Sequence, residues 1–172
     1  MNKPAGITSA DVVRVLKKKM NPTKIGHAGT LDPDATGLIP IALGEATKAI
    51  PYLLRSRKKY EASFLYGVKT DTDDASGTTL KASTYIPGKS EILEALNYYS
   101  GVIFQVPPKV SAVKVKGKRA YQRFKSKESF QLTARCIKVY KLSLQSYNEK
   151  GETLVHFECS KGGYVRSIAR DI

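Results

Sequence analysis

Residues 26–37 read Gly-His-Ala-Gly-Thr-Leu-Asp-Pro-Asp-Ala-Thr-Gly, and no regular element can be built from them. The three glycines weaken helix and strand alike, and Pro33 removes a donor while fixing its own φ. The segment must be a specified loop. It presents His27, one of two histidines in the chain, with the carboxylates of Asp32 and Asp34. Because Asp32 precedes a proline, its backbone is biased towards extended geometry. The residues alone leave two readings open. A rigid loop can present Asp32 as a nucleophile, or Asp32 can bond its own backbone in an Asp-Pro turn. On local chemistry the turn is the commoner outcome.

The chain around this loop is globular in composition. Its 172 residues, 41% hydrophobic and 26% charged, suit a single domain over 1–172 with its own core. No apolar run approaches the ~20 residues needed to span a bilayer. The start, MNKPAGITSADVV, has no apolar stretch of the secretory kind, so a cytoplasmic protein is expected. Cys136 and Cys159 lie far from metal-ligand spacing, in strand-like runs, and are expected to be buried thiols, with a disulfide, rare in a cytoplasmic chain, as the alternative.

The net charge of +14 predicts attraction to polyanions. Residues 109–127 carry Lys109, Lys114, Lys116, Lys118, Arg119, Arg123, Lys125 and Lys127 with no acid, and Tyr121 and Phe124 lie among them. Such a surface can follow a phosphate backbone while stacking on bases. A solvated basic face over core aromatics is the plainer alternative. Further basic groups at 17–19 and 55–59 favour RNA contact. Asp71, Asp73 and Asp74 look like metal ligands, but a calcium loop needs regularly spaced oxygens and a distant Glu. A turn with an acidic edge is expected there, and no metal.

Periodicity supplies the elements. Thr8 or Ser9 can cap a helix over 9–20, striped by Val12, Val13, Leu16 and Met20. Leu38–Leu43 reads as a short buried strand. Glu45–Leu54 reads as helix, kinked at Pro51 or ending before it. Residues 60–68 alternate, placing Tyr60, Ala62, Phe64, Tyr66 and Val68 on one face. Ser90 is placed as the cap of a helix stopped by Gly101. Strands follow at 102–106, 110–115, 128–133, 135–146 and 153–159. In the last, Val155, Phe157 and Cys159 face one way while His156 and Glu158 face solvent. A final helix starts near Gly163, leaving Arg166 and Arg170 on a face free to point at a site or at RNA. Many strands with irregularly interspersed helices predict an α+β fold with a largely antiparallel sheet.

Five segments in order resemble the TruB family of tRNA pseudouridine synthases. They are Lys-Pro-Ala-Gly-Ile-Thr-Ser at 3–9, GHAGTLDPDATGLIPIALGEATK from Gly26, and Tyr60-Glu61-Ala62 leading to Gly67 and Thr70-Asp71-Thr72-Asp73. Gln105-Val106-Pro107-Pro108 with Ser111-Ala112-Val113-Lys114 and the run Ser160–Asp171 complete the set. Ordered matches are far more specific than one motif. The resemblance makes Asp32 the nucleophile. It implies a mixed, largely antiparallel central sheet flanked by helices, with the active-site cleft across its middle.

The implied reaction isomerises uridine 55 of the tRNA T-loop and needs neither cofactor nor metal. The resemblance makes tRNA, through its T-arm, the partner of a monomer with no membrane association and no required protein partner. It makes Tyr60 the aromatic under the flipped uracil, although Tyr60 also continues a core face. Arg166 is implied as the cation beside the Asp32 carboxylate and Tyr164 as a wall of the uracil pocket. His27 is implied to fill space left by flipped nucleotides, with general-base chemistry as the alternative. Lys3 is expected to give structural or electrostatic support. Lys114, Lys116, Lys118, Arg119 and Arg123 are the candidate RNA contacts. Relatives usually have a strand before the Lys-Pro and continue past Asp171-Ile172 into further sheet and a small RNA-binding domain, so an incomplete C-terminal end is expected. A non-catalytic RNA-binding or RNA-folding module is the rival from another class. A nucleotide-phosphate cradle at 26–37 fits neither a P-loop nor a dinucleotide fingerprint.

Overall fold

The computed structural model describes residues 1–172, whose contacts fall into two units, Met1–Ser56 and Arg57–Ile172. The first unit runs through β1 (Asn2–Lys3), α1 (Ser9–Met20), β2 (Ile25–His27), β3 (Gly37–Leu38) and β4 (Ile41–Leu43). A 3-10 helix, Gly44–Ala49, then leads into α2 (Ile50–Arg55). Thr8 is the cap of α1: its hydroxyl accepts from the Asp11 amide at 3.1 Å, and the Asp11 carboxylate accepts from the Thr8 amide at 2.9 Å. The Thr8 hydroxyl also donates to the Asp11 carboxylate at 2.6 Å, and this bond first, then the one from the Thr8 amide, holds the Asp11 carboxyl below its usual value. Val12 is buried while Met20 stays exposed.

Two expectations for this unit resolve differently. The apolar run 38–43 is not one strand. Leu38 belongs to β3, which pairs with β1, whereas Ile41–Leu43 pairs with β2. Pro40 lies between them and has no N–H to offer a ladder. Pro51, for its part, neither kinks a long helix nor ends one. It sits in the first turn of α2, where the missing donor costs nothing.

The second unit contains β5 (Lys58–Leu65), β6 (Val68–Thr70), β7 (Thr79–Ala82), α3 (Lys89–Tyr98), β8 (Gly101–Gln105), β9 (Lys114–Val115), β10 (Lys118–Arg119) and α4 (Ala120–Lys125). It ends with β11 (Arg135–Tyr147), β12 (Glu152–Cys159) and α5 (Val165–Asp171). Its centre is a four-stranded sheet in the order β5-β12-β11-β8. Period-two burial shows in β12, where Val155, Phe157 and Cys159 are fully buried and His156 and Glu158 are not. Phe64, Ile137 and Val139 extend that face, and Ile92 and Leu96 of α3 and Ile168 of α5 cover it. Every strand pairing is antiparallel. The fold is α+β, as the pattern of elements predicts.

Four local differences have local causes. The strand expected over 60–68 stops at Leu65, because Gly67 takes φ +86° and turns the chain into the β6–β7 hairpin. The cap of α3 is Gly88, not Ser90; the Glu91 carboxylate accepts from the Gly88 amide at 2.8 Å. Residues 128–133 keep an alternating exposure but pair with no strand. Cys136 is exposed, contrary to expectation, because Ile137 and Val139 claim the core face and parity turns Cys136 outward, opposite the exposed Phe104. No helix is long and apolar enough to cross a membrane.

Candidate active site

The loop carrying Asp32 is fastened at both ends. On one side β2 and β4 form a ladder, extended by the Ala28 amide donating to the Pro40 carbonyl at 2.9 Å. On the other, β1 pairs with β3, and Lys3 lies opposite Gly37. Gly37 has φ +126°, a conformation that a side chain would oppose. Between these ladders the backbone of Asp32 closes a turn, its carbonyl accepting from the Ala35 amide at 3.2 Å.

The neighbours of Asp32 in the sequence are both pinned. Leu31 donates its amide to the Ser9 hydroxyl at 3.0 Å, and that hydroxyl donates back to the Leu31 carbonyl at 3.3 Å. The Pro33 carbonyl accepts from the Gly6 amide at 3.0 Å and from the Lys3 ammonium at 2.7 Å. Lys3 is 1% exposed and spends its remaining donors on the carbonyls of Pro4, at 2.7 Å, and Ile7, at 2.8 Å. A buried ammonium with three carbonyl acceptors is fully satisfied. Asp32 itself and Asp34 are exposed at the tip. His27 lies half-buried in β2, with Nδ1 against the Gly29 carbonyl. Since a carbonyl only accepts, Nδ1 carries the proton.

In the second unit, Tyr60 is half-buried on β5 and stacks on Phe157 with ring centroids 6.0 Å apart and planes 24° apart. The two readings of Tyr60, core and platform, are thus compatible. Tyr164 is the cap residue of α5. Its backbone is read by a buried side chain that the sequence reading passed over: Gln105 accepts from the Tyr164 amide at 2.8 Å and donates to its carbonyl at 3.1 Å. Ser167, buried next to Arg166, donates to the Val106 carbonyl at 2.8 Å.

Arg166 and Arg170 are not free, which corrects the expectation for that helix face. Arg166 donates to the carbonyls of Thr72 and Val110, each at 3.0 Å, and pairs with Asp74 at 3.3 Å. Arg170 pairs with Asp73 at 2.9 Å. The acidic run is therefore an arginine-binding loop. Burial pushes the Asp74 carboxyl up, but the Ser76 and Thr72 hydroxyls, the Ser76 amide and Arg166 outweigh it and hold the group below the usual aspartate value.

The basic segment forms the β9–β10 hairpin followed by α4. Lys114, Lys116 and Arg119 point their charge from exposed positions. Arg123 is turned inward: it donates to the Val115 carbonyl from Nε at 3.1 Å and Nη2 at 3.0 Å. Glu128, just past the acid-free stretch, pairs with both Arg123 and Lys118.

Comparison with known proteins converges on one answer. The description "TruB family pseudouridylate synthase (N terminal domain)" matches residues 17–165. The chain belongs to the TruB family. It is 48% identical over all 172 residues to "tRNA pseudouridine synthase B" of Roseobacter denitrificans, covering 57% of that protein. It is 42% identical to the protein of the same name from Bradyrhizobium diazoefficiens, covering 50%. The chain thus spans about half the length of the curated relatives it matches. Among solved structures it resembles a chain of a Cbf5-Nop10-Gar1 complex with TM-score 0.71 at 28% identity, covering 98% of this chain and 40% of the other. A second resemblance, TM-score 0.65 at 26% identity, is to an H/ACA RNP bound to a substrate RNA containing 2'-deoxyuridine. For a TruB-family chain, the arginine-binding use of Asp73 and Asp74 lay beyond the sequence reading, because a carboxylate's partner 97 residues away leaves no local trace.

Proposed function

We propose that this chain is the catalytic part of a tRNA pseudouridine synthase that isomerises uridine 55 in the T-loop, residues 1–172 working as one catalytic domain. The reaction breaks the bond from ribose C1′ to N1 and joins C1′ to C5; C5 loses its proton and N1 gains one. No electrons are exchanged with a partner, so no cofactor enters the scheme. The carboxylate of Asp32 attacks the flipped nucleotide, and Tyr60 stacks under its uracil. Arg166 supplies the positive charge that favours ionised carboxylate. Tyr164 walls the uracil, and His27 fills space vacated in the RNA. Lys114, Lys116 and Arg119 meet phosphates. The chain acts as a monomer.

The observation that carries this reading is the fastening of Leu31 and Pro33 on either side of Asp32, in a chain of this family. A nucleophile gains rate from a fixed approach geometry. The test is to incubate the chain with a uridine-labelled T-arm transcript and score pseudouridine. The unaltered chain should convert uridine 55, and Asp32→Asn should fall below about 10⁻³ of its rate while binding RNA as before. Normal turnover by Asp32→Asn would pass the role to another acid. Tight binding of the T-arm with no product would leave an RNA-binding module.

A further inference from the structure

Two arginines one turn apart on α5 grip two consecutive aspartates of the 71–78 loop. Arg166 takes Asp74 and the Thr72 carbonyl, and Arg170 takes Asp73. Side chains of adjacent residues normally diverge. Here both reach one helix because Asp73 adopts φ +59°, the left-handed conformation that aspartate tolerates better than most residues. Arg170, the partner of Asp73, is itself held from three directions. Besides Asp73, it donates from Nη2 to the Val106 carbonyl at 2.8 Å and from Nε to Asp171 at 2.8 Å. Its side chain is 22% exposed and that of Asp73 only 11%.

We propose that Arg170 is a positioning residue. Acting through Asp73, it fixes the loop whose Asp74 and Thr72 set the direction of the Arg166 guanidinium. The inference rests on the role given to Arg166 in the proposed function. Arg170 acts at one remove: with Nε, Nη1 and Nη2 each engaged inside the protein, it has little left with which to hold RNA. Losing either member of the Arg170–Asp73 pair releases the turn, and Arg166 then keeps its charge but loses its aim. A misplacement of this kind costs turnover more than binding.

The test uses Arg170→Ala, Arg170→Lys, Asp73→Asn and the Arg170→Ala/Asp73→Asn double variant of the full chain, with a T-arm RNA transcript as the probe. Arg170→Ala and Asp73→Asn should each lower kcat by about 10- to 100-fold. KM should stay within about twofold. The double variant should be no worse than Arg170→Ala, because both changes remove one interaction. Arg170→Lys should recover part of kcat, keeping the charge and losing the fork. Independently of turnover, guanidinium rotation of Arg166, followed by nitrogen exchange in the NMR spectrum, should quicken in Arg170→Ala. If the unaltered chain makes no pseudouridine, the proposed function fails and this rotation alone decides the inference. Unchanged rotation and kcat would overturn it. So would a raised KM with a shallower salt dependence, since that marks direct RNA contact. Should Arg170→Ala not fold, Asp73→Asn, which keeps shape and tolerates φ > 0, carries the same readouts.

Discussion

Lys3 and Pro33 stand 30 residues apart in sequence, and the ammonium of one lies 2.7 Å from the carbonyl of the other. That bond ties the N-terminal segment to the residue following Asp32. It also explains how a lysine can be 1% exposed: its charge is shared among three carbonyl oxygens.

Lys3→Met tests the tie with little change in volume. Three carbonyls lose a charged donor, at a cost of about 2–4 kcal/mol in total. Urea unfolding should show the loss. Turnover should fall while T-arm affinity holds, because the loop that aims Asp32 is loosened and the basic surface is untouched. Wild-type stability in Lys3→Met would mean that the buried ammonium contributes nothing net.

The basic segment should divide into two kinds of residue. Lys116→Ala removes an exposed charge, so RNA affinity should drop and the slope of log K against log salt should lose about 0.7–0.9. Arg123→Ala instead strips two hydrogen bonds from the Val115 carbonyl and one partner from Glu128. Its thermal midpoint should fall, whereas that of Lys116→Ala should not move. Filter binding across a salt series, with melting curves, separates the two.

The two cysteines should differ sharply towards a thiol reagent. Burial pushes the Cys159 thiol up to about 11, with Lys58 and the Gly163 amide opposing only in part. At pH 8 the native chain should titrate with one equivalent of Ellman's reagent, at exposed Cys136, and with two after denaturation. The sign of the pH effect follows. A thiol raised in the folded state keeps its proton after the unfolded chain has lost it, so stability falls as pH climbs from about 9 towards 11. Cys159→Ala should flatten that decline.

Gly163 meets the same cysteine from the other side. A Cβ at position 163 would lie 2.6 Å from Cys159 Sγ and 3.1 Å from its Cβ. Gly163→Ala should therefore cost about 1–3 kcal/mol and displace the start of α5, lowering turnover. Adding Cys159→Ala should recover part of both, read by melting and by product formation.

What was legible in the sequence followed from chemistry that acts over a few residues. The loop at 26–37 announced itself through glycine and proline, and β12 through an uninterrupted period of two. Thr8 and Asp11 marked the start of α1 three residues apart. What was not legible depended on partners far along the chain. Residues 128–133 alternate like a strand, yet a strand exists only where another lies beside it. Lysines are exposed by default, so the depth of Lys3 could not be read without its three carbonyls. Gln105 was visible within a motif, but its use as a surrogate backbone partner for Tyr164 needs the fold. The parity of Cys136 was decided by Ile137, the more apolar neighbour.

The central ladder pairs Lys58 with Cys159 and Leu65 with Glu152, joining the start of the second unit to a strand near its end. Closing so long a loop loses chain entropy before any contact repays it. During synthesis β5 must wait, with Tyr60 and Phe64 uncovered, until some ninety residues more have left the ribosome and β12 can dock against it. The platform assigned to the flipped base therefore cannot take shape before β12 has emerged, and refolding of the chain should be slow, concentration-sensitive and helped by whatever shields that face in the meantime.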